Sequence, residues 1–486
     1  MLDLLLIHPN AVHGIYGPLG DELVAIEQPL WCRLNAAYLL DRDYRVQILD
    51  AEATRATPED AARVVAVTNP RLVCIAVYGH QPSASSQQMI GARAFAAAIK
   101  KANPAQKVIM LGNHPSALPE RTLREEPVDY VCDGEGPVTL DGLLADLPLE
   151  KIPGLVWWHK RGVIQNERAP LLDLDRDLHG DAWHLLPMSS YRSHQWQCFG
   201  DLSKRQPYAA IYTSLGCSYK CSFCMINVFQ HTNRYRMRSP QVVVDEMVML
   251  NRQYGVTTFK FIDELFVLNK RHYREICQRL IDCGLGTKIN SWCYSRTDTV
   301  TDEDLPLLRA AGFKWLALGI ESGAKSVRDA ANKSLKNDDI VKTVRNVQAH
   351  DINVIANFIL GLPTDDMESM QVTLDLALEL NTEFMNAYVC MAYPGSRLYE
   401  EAIEKGWTLP ETWAGYSQHN EFCRPLDTEH VDAATVLRFR DEAFQTYFTN
   451  PKYLEMVERK FGAETLEHVC KMTTYRLKRK LLESAA

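Results

Sequence analysis

With 486 residues, 46% of them hydrophobic and 23% charged, the chain reads as a globular protein too long for one compact core, so two or three domains are expected. A net charge of -8 argues against a polypeptide built to neutralise the phosphates of DNA or RNA, and it favours small-molecule or protein partners. Thirteen cysteines, an odd number, most of them set singly in apolar runs such as the one around Cys74, fit reduced thiols in a cytoplasm. No uncharged apolar run reaches the roughly eighteen residues of a membrane span.

The first segment, "MLDLLLIHPN", lacks a basic start and breaks after a short apolar run, which predicts a strand and not a secretory leader. From there to residue 146, β-rich runs ("LDLLLIH", "YRVQILDAE", "RLVCIAVYG", "KVIMLGN", "DYVCDGEG") alternate with helical patterns. Five such strands predict a parallel, doubly wound sheet, whose ligands lie beyond the carboxyl ends of the strands. Those ends carry His8 and Asn10, then Tyr78, Gly79, His80, Gln81 and Ser83, then Gly112, Asn113 and His114, and finally Gly134, Glu135 and Gly136. Residues 147–206 read as a connector, with a small hairpin in "GLVWWHKRGVIQNE" and Trp157, Trp158, Trp183 and Trp196 expected at a domain seam.

From 207 the alternation resumes with six strand candidates: "AAIYTSLG", "TTFKFIDELF", "KINSWCYS", "KWLALGIE", "NVIANFILG" and "FMNAYVCMA". Ser239-Pro240 marks a helix start, Val243, Met247, Leu250 and Tyr254 follow at helical spacing, and Gly255 marks its end. A second helix is expected between Thr301 and Gly312. Such a series of βα units predicts a partial barrel over 207–400, with reactive groups at its carboxyl face. The remainder, 401–486, is helical in pattern, and Arg476, Lys478, Arg479 and Lys480 read as a solvated last helix.

The first barrel strand runs into "GCSYKCSFCMIN", which places Cys217, Cys221 and Cys224 within eight residues. Zinc normally takes four ligands, and no second Cys or His pair lies downstream to complete them. A redox C-x-x-C would not need Cys217. An iron-sulfur cube on three thiolates leaves one iron open for a substrate or cofactor, and that open position explains why three sulfurs suffice.

C-x-x-x-C-x-x-C on the loop after the first strand of a βα series resembles the radical S-adenosylmethionine (SAM) superfamily, over residues 207–400. The resemblance implies a 4Fe-4S cluster on Cys217, Cys221 and Cys224 whose open iron binds SAM, with one-electron cleavage to a 5'-deoxyadenosyl radical. It implies SAM contacts from Phe223 between two of the cysteines, from Asp263 or Glu264 in "FIDELF" toward the amine, and from Ser295 and Arg296 toward the carboxylate. Glu321 is implied for the ribose, and Gly361 and Pro363 for the turn on the adenine side. "NRYRMRSP" puts Arg234, Arg236 and Arg238 at alternate positions, either for an anionic ligand or as solvated surface charge.

The doubly wound domain ahead of this barrel, with "YGHQPSASSQQM", "LGNHPSALPE" and "CDGEGP", resembles the cobalamin-binding class of radical SAM enzymes, class B methyltransferase-like. Cobalamin contacts are then implied at the strand-end residues named above. The D-x-H-x-x-G pattern that donates an axial histidine is absent, since His13 stands at the wrong spacing before Gly17. The class implies methyl transfer from methylcobalamin to an unactivated centre of a small molecule held between the two domains, whose carboxyl edges face each other. The helical tail, with Trp413 and Tyr416, is expected to help close the pocket. An electron donor such as flavodoxin or ferredoxin is implied as a partner. Two alternatives stand beside this: a cyclase or oxidoreductase of the same architecture without methyl transfer, and a non-catalytic cobalamin or iron-sulfur binding protein.

Overall fold

The computed structural model describes residues 2–20, 22–79 and 81–483, with the backbone alone at Pro18. Its first sheet has seven strands: β1 (Leu4–His8), β2 (Val46–Asp50), β3 (Leu72–Val77), β4 (Val108–Gly112), β5 (Tyr130–Cys132), β6 (Leu155–His159) and β7 (Gly162–Gln165). Their order is β2-β1-β3-β4-β5-β6-β7, parallel through β5, with β6 and β7 antiparallel at the edge. The predicted five-stranded sheet is therefore present. The hairpin assigned to the connector extends it as a sixth and seventh strand, which covers the edge that β5 would otherwise expose.

Continuous apolar runs make these strands, because both faces are buried. Leu4, Leu6, Cys74, Ala76, Ile109 and Leu111 pack under helices Leu30–Leu40 and Pro137–Leu144. Leu5, Ile7, Val73, Ile75 and Met110 pack on the opposite face under Pro58–Thr68 and Ser85–Ala102. The sheet is doubly wound as expected.

The second body is the partial barrel. Its first strand is β8 (Tyr208–Ile211), followed by two short segments, β9 (Ser214–Leu215) and β10 (Arg236–Met237), that pair antiparallel and pin the ends of the cysteine loop. Then come β11 (Thr258–Phe261), β12 (Asn290–Arg296), β13 (Phe313–Glu321), β14 (Asn353–Leu360) and β15 (Phe384–Val389). The parallel order is β15-β14-β13-β12-β11-β8, one strand for each predicted run. Helix Pro240–Tyr254 buries Val243, Met247 and Leu250 as the spacing predicts, and Gly255 closes it at φ 68°. Ser239 does not cap it through its side chain. Its hydroxyl donates to Asp175 instead, which fastens the connector to the barrel.

The connector is packed core as well as seam. Trp183 donates to Glu246 at 2.9 Å beneath the Arg33 guanidinium, which lies 3.8 Å from its ring centroid. Trp196 sits inside the barrel, 5.0 Å from Trp292 and 5.4 Å from Trp315. Trp157 is buried in the first sheet's core, whereas Trp158 is exposed.

The two bodies are locked together by buried polar groups. Gln28, ahead of helix Leu30–Leu40, donates to the Tyr208 carbonyl at 2.7 Å and accepts from Ala210 N–H at 2.9 Å, so its amide extends the open edge of β8. Glu27 pairs with Lys260 of β11 at 2.8 Å. The C-terminal region is helical, as predicted, with helices Ala433–Phe448, Pro451–Phe461 and Ala463–Met472. One part of that expectation is corrected: Arg479 is buried, clamped by both its Nε and Nη2 to Asp441 at 2.9 Å, because the last segment folds back onto helix Ala433–Phe448. No helix among the described residues is long and apolar enough to cross a membrane.

Candidate active site

The cysteine loop spans Gly216 to Tyr235, between β9 and β10. Gly216 has φ 89°, and a Cβ there would meet the Arg234 carbonyl at 2.2 Å, so only glycine lets the loop's two ends lie side by side. Asn227 braces the interior by accepting from Cys217 N–H at 3.1 Å and donating to the Cys217 carbonyl at 2.8 Å. Ser222 ties the loop outward, its N–H to the Ala331 carbonyl and its carbonyl to Leu398 N–H. Burial pushes the Cys217 thiol up to about 11 and Cys224 up to about 12, and raises Cys221 as well. The loop thus presents three protonated thiols that a metal centre would have to deprotonate.

All three cysteines line one cavity of about 260 Å³, together with Phe223, Glu264, Ser295, Arg296 and Glu321. The predicted strand ends therefore converge on the loop. Asp263 and Glu264, which the sequence left unresolved, differ completely in use. Asp263 is fully engaged, accepting from Thr213 N–H, Thr213 Oγ1 and Ser214 Oγ, and it serves as a knot under the loop. Glu264 faces the cavity, and among the described residues its side chain accepts only from Gly216 N–H, at 3.1 Å. Burial, followed by the charge of Asp263, pushes its carboxyl up to about 7.

Arg296 is held by Asp298 through two bonds of 2.8 Å, stacks 3.9 Å over the Tyr219 ring, and brings Nη1 to 4.0 Å from the Cys221 sulfur. Among the described residues the buried Ser295 Oγ has no partner better than the neighbouring Cys293 thiol. Glu321, at a strained φ of 69°, pairs with Lys333, a cavity residue that the sequence reading missed. Gly361 and Pro363 are not among the residues that line the cavity, whereas Ile359, two residues before Gly361, is. Gly361 takes φ 78° with Asp365 accepting from its N–H at 3.0 Å.

The arginines of "NRYRMRSP" separate. Arg236 pairs with Glu135 at the end of β5 and so joins the two bodies, whereas Arg238 pairs at 2.6 Å with Glu246 of helix Pro240–Tyr254, within the barrel. Arg234 is exposed. Glu135, expected to face a ligand, is thereby occupied in an ion pair.

At the carboxyl ends of the first sheet the arrangement is that of a ligand cradle. Tyr78 Oη, Asn113 Nδ2 and His114 Nε2 are buried with no partner among the described residues, a state that buried polar groups rarely keep unless something else satisfies them. Gly112 has φ 144°, and a Cβ there would meet the Val77 carbonyl at 2.2 Å, whereas above Gly134 the space is open. Gly79 and Gly136 are likewise too tightly packed for a side chain, against Ala84 and Asn35. His114 accepts or donates to Ser86 at 3.0 Å, lies 4.3 Å from the Trp413 ring and is held neutral by burial, near 3. His8 is buried beside Glu52 and Asp50, and Asn10 accepts from Val12 N–H. His80 lies outside the described residues.

Gln81 and Ser83, on the loop after β3, reach the cysteine cavity itself. Gln81 also lines a second cavity of about 320 Å³, as do Tyr294, Asn357, Tyr388, Tyr393 and Gln418, so the two spaces adjoin across shared walls. The carboxyl edges of the two bodies face each other as expected. Trp413 and Tyr416 close this region by different routes: Trp413 covers His114 and Arg121, and Tyr416 backs Tyr393 at 5.9 Å.

The donor sets fit the cofactors that the sequence implies. Among the described residues no three His, Cys, Asp or Glu side chains could hold a single metal ion. A cube needs no such convergence, because it takes one thiolate on each of three irons. The Ser295 hydroxyl, the facing Glu264 and the Nη1 that Asp298 leaves to Arg296 suit an amino acid head group beside the cluster, and the unpartnered groups beyond β3 and β4 suit an amide-rich ligand such as cobalamin.

Comparison with known proteins agrees. Residues 211–377 match the radical SAM superfamily, and residues 18–144 match the B12 binding domain. An uncharacterized methyltransferase of Pyrococcus horikoshii is 27% identical over 93% of this chain and 94% of its own length. The anaerobic magnesium-protoporphyrin IX monomethyl ester cyclase of Rubrivivax gelatinosus is 27% identical over 93% of this chain and 78% of its own. The radical SAM methyltransferase TsrM from Kitasatospora setae, solved with cobalamin and a 4Fe-4S cluster, shares the fold with a TM-score of 0.67 over 98% of this chain and 100% of its own, at 17% identity. With a B12-binding domain and a radical SAM domain matched in sequence and both contributing walls to the cysteine cavity, the chain belongs to the cobalamin-binding radical SAM enzymes.

Proposed function

We propose that the chain is a cobalamin-dependent radical SAM methyltransferase that methylates an unactivated centre of a small molecule. One observation carries the reading: the loop bearing Cys217, Cys221 and Cys224 and the loop bearing Gln81 and Ser83 line the same space, so a substrate there meets both cofactor sites. When bound, the cluster and SAM supply one-electron chemistry and cobalamin a transferable methyl group. Cys217, Cys221 and Cys224 hold the cluster; Glu264, Ser295 and Arg296 orient the amino and carboxylate groups of SAM, and Glu321 its ribose. Phe223 and Ile359 flank the adenine. Tyr78, Asn113, His114 and the glycine-lined strand ends hold cobalamin. Trp196, Trp292 and Tyr416 exclude water around the reacting centre. A flavodoxin- or ferredoxin-type protein supplies the electron.

The test is turnover with methyl-deuterated SAM. Deuterium in the product, together with S-adenosylhomocysteine and 5'-deoxyadenosine, supports the reading. The similarity to the Rubrivivax cyclase favours a second reading, ring formation or oxidation without methyl transfer, and 5'-deoxyadenosine formed with unlabelled product would select it.

A further inference from the structure

The second cavity collects positive charge in a protein whose net charge is -8. Lys260, Arg440 and Arg476 line it, and Asp441 is the single carboxylate among its described lining residues. Lys260 is matched by Glu27 behind the wall. Asp441 is shared. Arg479 takes it through two bonds of 2.9 Å and places its remaining nitrogen on the carbonyls of Gln418 and Asn420, so that guanidinium is fully committed.

Arg440 is only half committed. Its Nε donates to the Ala387 carbonyl at 2.9 Å and its Nη1 to Asp441 at 3.0 Å, and among the described residues its Nη2 has no partner. One carboxylate between two guanidiniums leaves one positive charge uncompensated, at a side chain only 10% exposed. Beside it, His419 Nδ1 is buried without a partner. Burial, followed by the charges of Arg440 and Arg479, holds that imidazole neutral, near 3, so it offers a polar atom and adds no charge. The walls leading from this corner toward the cysteines are aromatic: Phe444, Phe384, Trp292, Tyr388 and Tyr294. A guanidinium that lines a cavity with one fork edge unused by protein groups is available to an oxyanion, which would meet it with charge-assisted bonds.

We propose that Arg440, with His419 beside it, anchors an anionic oxygen group of the substrate, carboxylate or phosphate, and that the substrate's flat or apolar body runs from there along the aromatic wall toward the cysteine loop. The anchor makes the substrate an acid and fixes which end faces the cofactors. This rests on the reading of the cavity as the substrate site.

The test is calorimetric titration of the full chain, reconstituted with cluster and cobalamin, using indole-3-acetate against indole-3-acetamide, with phenyl phosphate as a further arm. The carboxylate is expected to bind at least about tenfold tighter than its neutral amide. Arg440→Gln should erase that preference, and Arg440→Lys should restore part of it. Tighter binding of phenyl phosphate than of the carboxylate identifies a phosphate substrate, and the reverse a carboxylic acid. Equal binding of acid and amide by the wild type, binding of neither, or an unchanged preference in Arg440→Gln overturns the proposal. Binding confined to cobalamin-free protein also overturns it, by assigning the corner to the cofactor. Cofactor loading and SAM cleavage are followed in parallel: their failure would tell against the functional reading, whereas intact loading without anion preference sinks the anchor alone.

Discussion

Glu246 is the carboxylate on which the junction of the two bodies depends. It accepts from Arg33 at 2.8 Å, from Arg238 at 2.6 Å and from the Trp183 indole at 2.9 Å, and the two arginine side chains are 0% and 1% exposed. Glu246→Gln keeps the shape and removes the charge, which leaves two buried guanidiniums facing each other across a neutral amide. A unit pair at about 4 Å gains roughly 4 kcal/mol at an effective dielectric near 20, much of it cancelled by desolvation. Breaking a buried pair from one side typically costs about 3–5 kcal/mol.

For domains of this size that corresponds to a fall of about 6 °C or more in the thermal midpoint, read through tryptophan fluorescence because Trp183 is a partner. The pH dependence follows from the same geometry. Burial alone would raise the Glu246 carboxyl, but the charges of Arg238 and then Arg33 outweigh it and hold the carboxyl below its ordinary value. Its contribution is therefore complete above the unfolded value of about 4.3 and is lost as pH falls through the lowered folded value. The gap between wild type and Glu246→Gln should be full at pH 7 and narrow in acid. A variant within about 2 °C of wild type at pH 7, or a gap that widens in acid, would refute the reasoning.

Cys217→Ala, Cys221→Ala and Cys224→Ala should each abolish SAM cleavage while circular dichroism and thermal midpoint stay near wild type, because the loop is braced by Asn227, Ser222 and the β9–β10 pair independently of the sulfurs. Gly216→Ala places a Cβ 2.2 Å from the Arg234 carbonyl at a positive φ, a strain of about 1–3 kcal/mol that must spread the loop ends; iron bound per chain should fall by roughly half or more while the barrel stays folded. Lys333→Met leaves Glu321 buried without its cation, and SAM affinity should weaken roughly tenfold, ~1.4 kcal/mol, without change in the iron content.

Much of this was legible because it is local. The cysteine spacing, the glycine-rich strand ends and the alternation of β and α runs each depend on a few neighbouring residues, and all five plus six predicted strands are present. What escaped depends on partners distant in sequence. Nothing near Asp263 says that Thr213 and Ser214 consume it and leave Glu264 to the cavity. The pairing of Arg479 with Asp441, and of Arg236 with Glu135, likewise joins segments that meet only in the fold. One missed signal was available: inward positions alternate along a barrel strand, so the polar and aromatic residues Trp292 and Tyr294 on β12, Asn357 on β14, and Asn386 and Tyr388 on β15 were readable as cavity lining from their period of two.

The central claim is a cluster on three cysteines whose remaining iron is open to SAM. Electron paramagnetic resonance of the anaerobically reconstituted, reduced protein, recorded with and without SAM, tests it directly. A reduced 4Fe-4S signal that changes shape when SAM is added is the predicted result, and a signal indifferent to SAM, or no cubane at all, would contradict it.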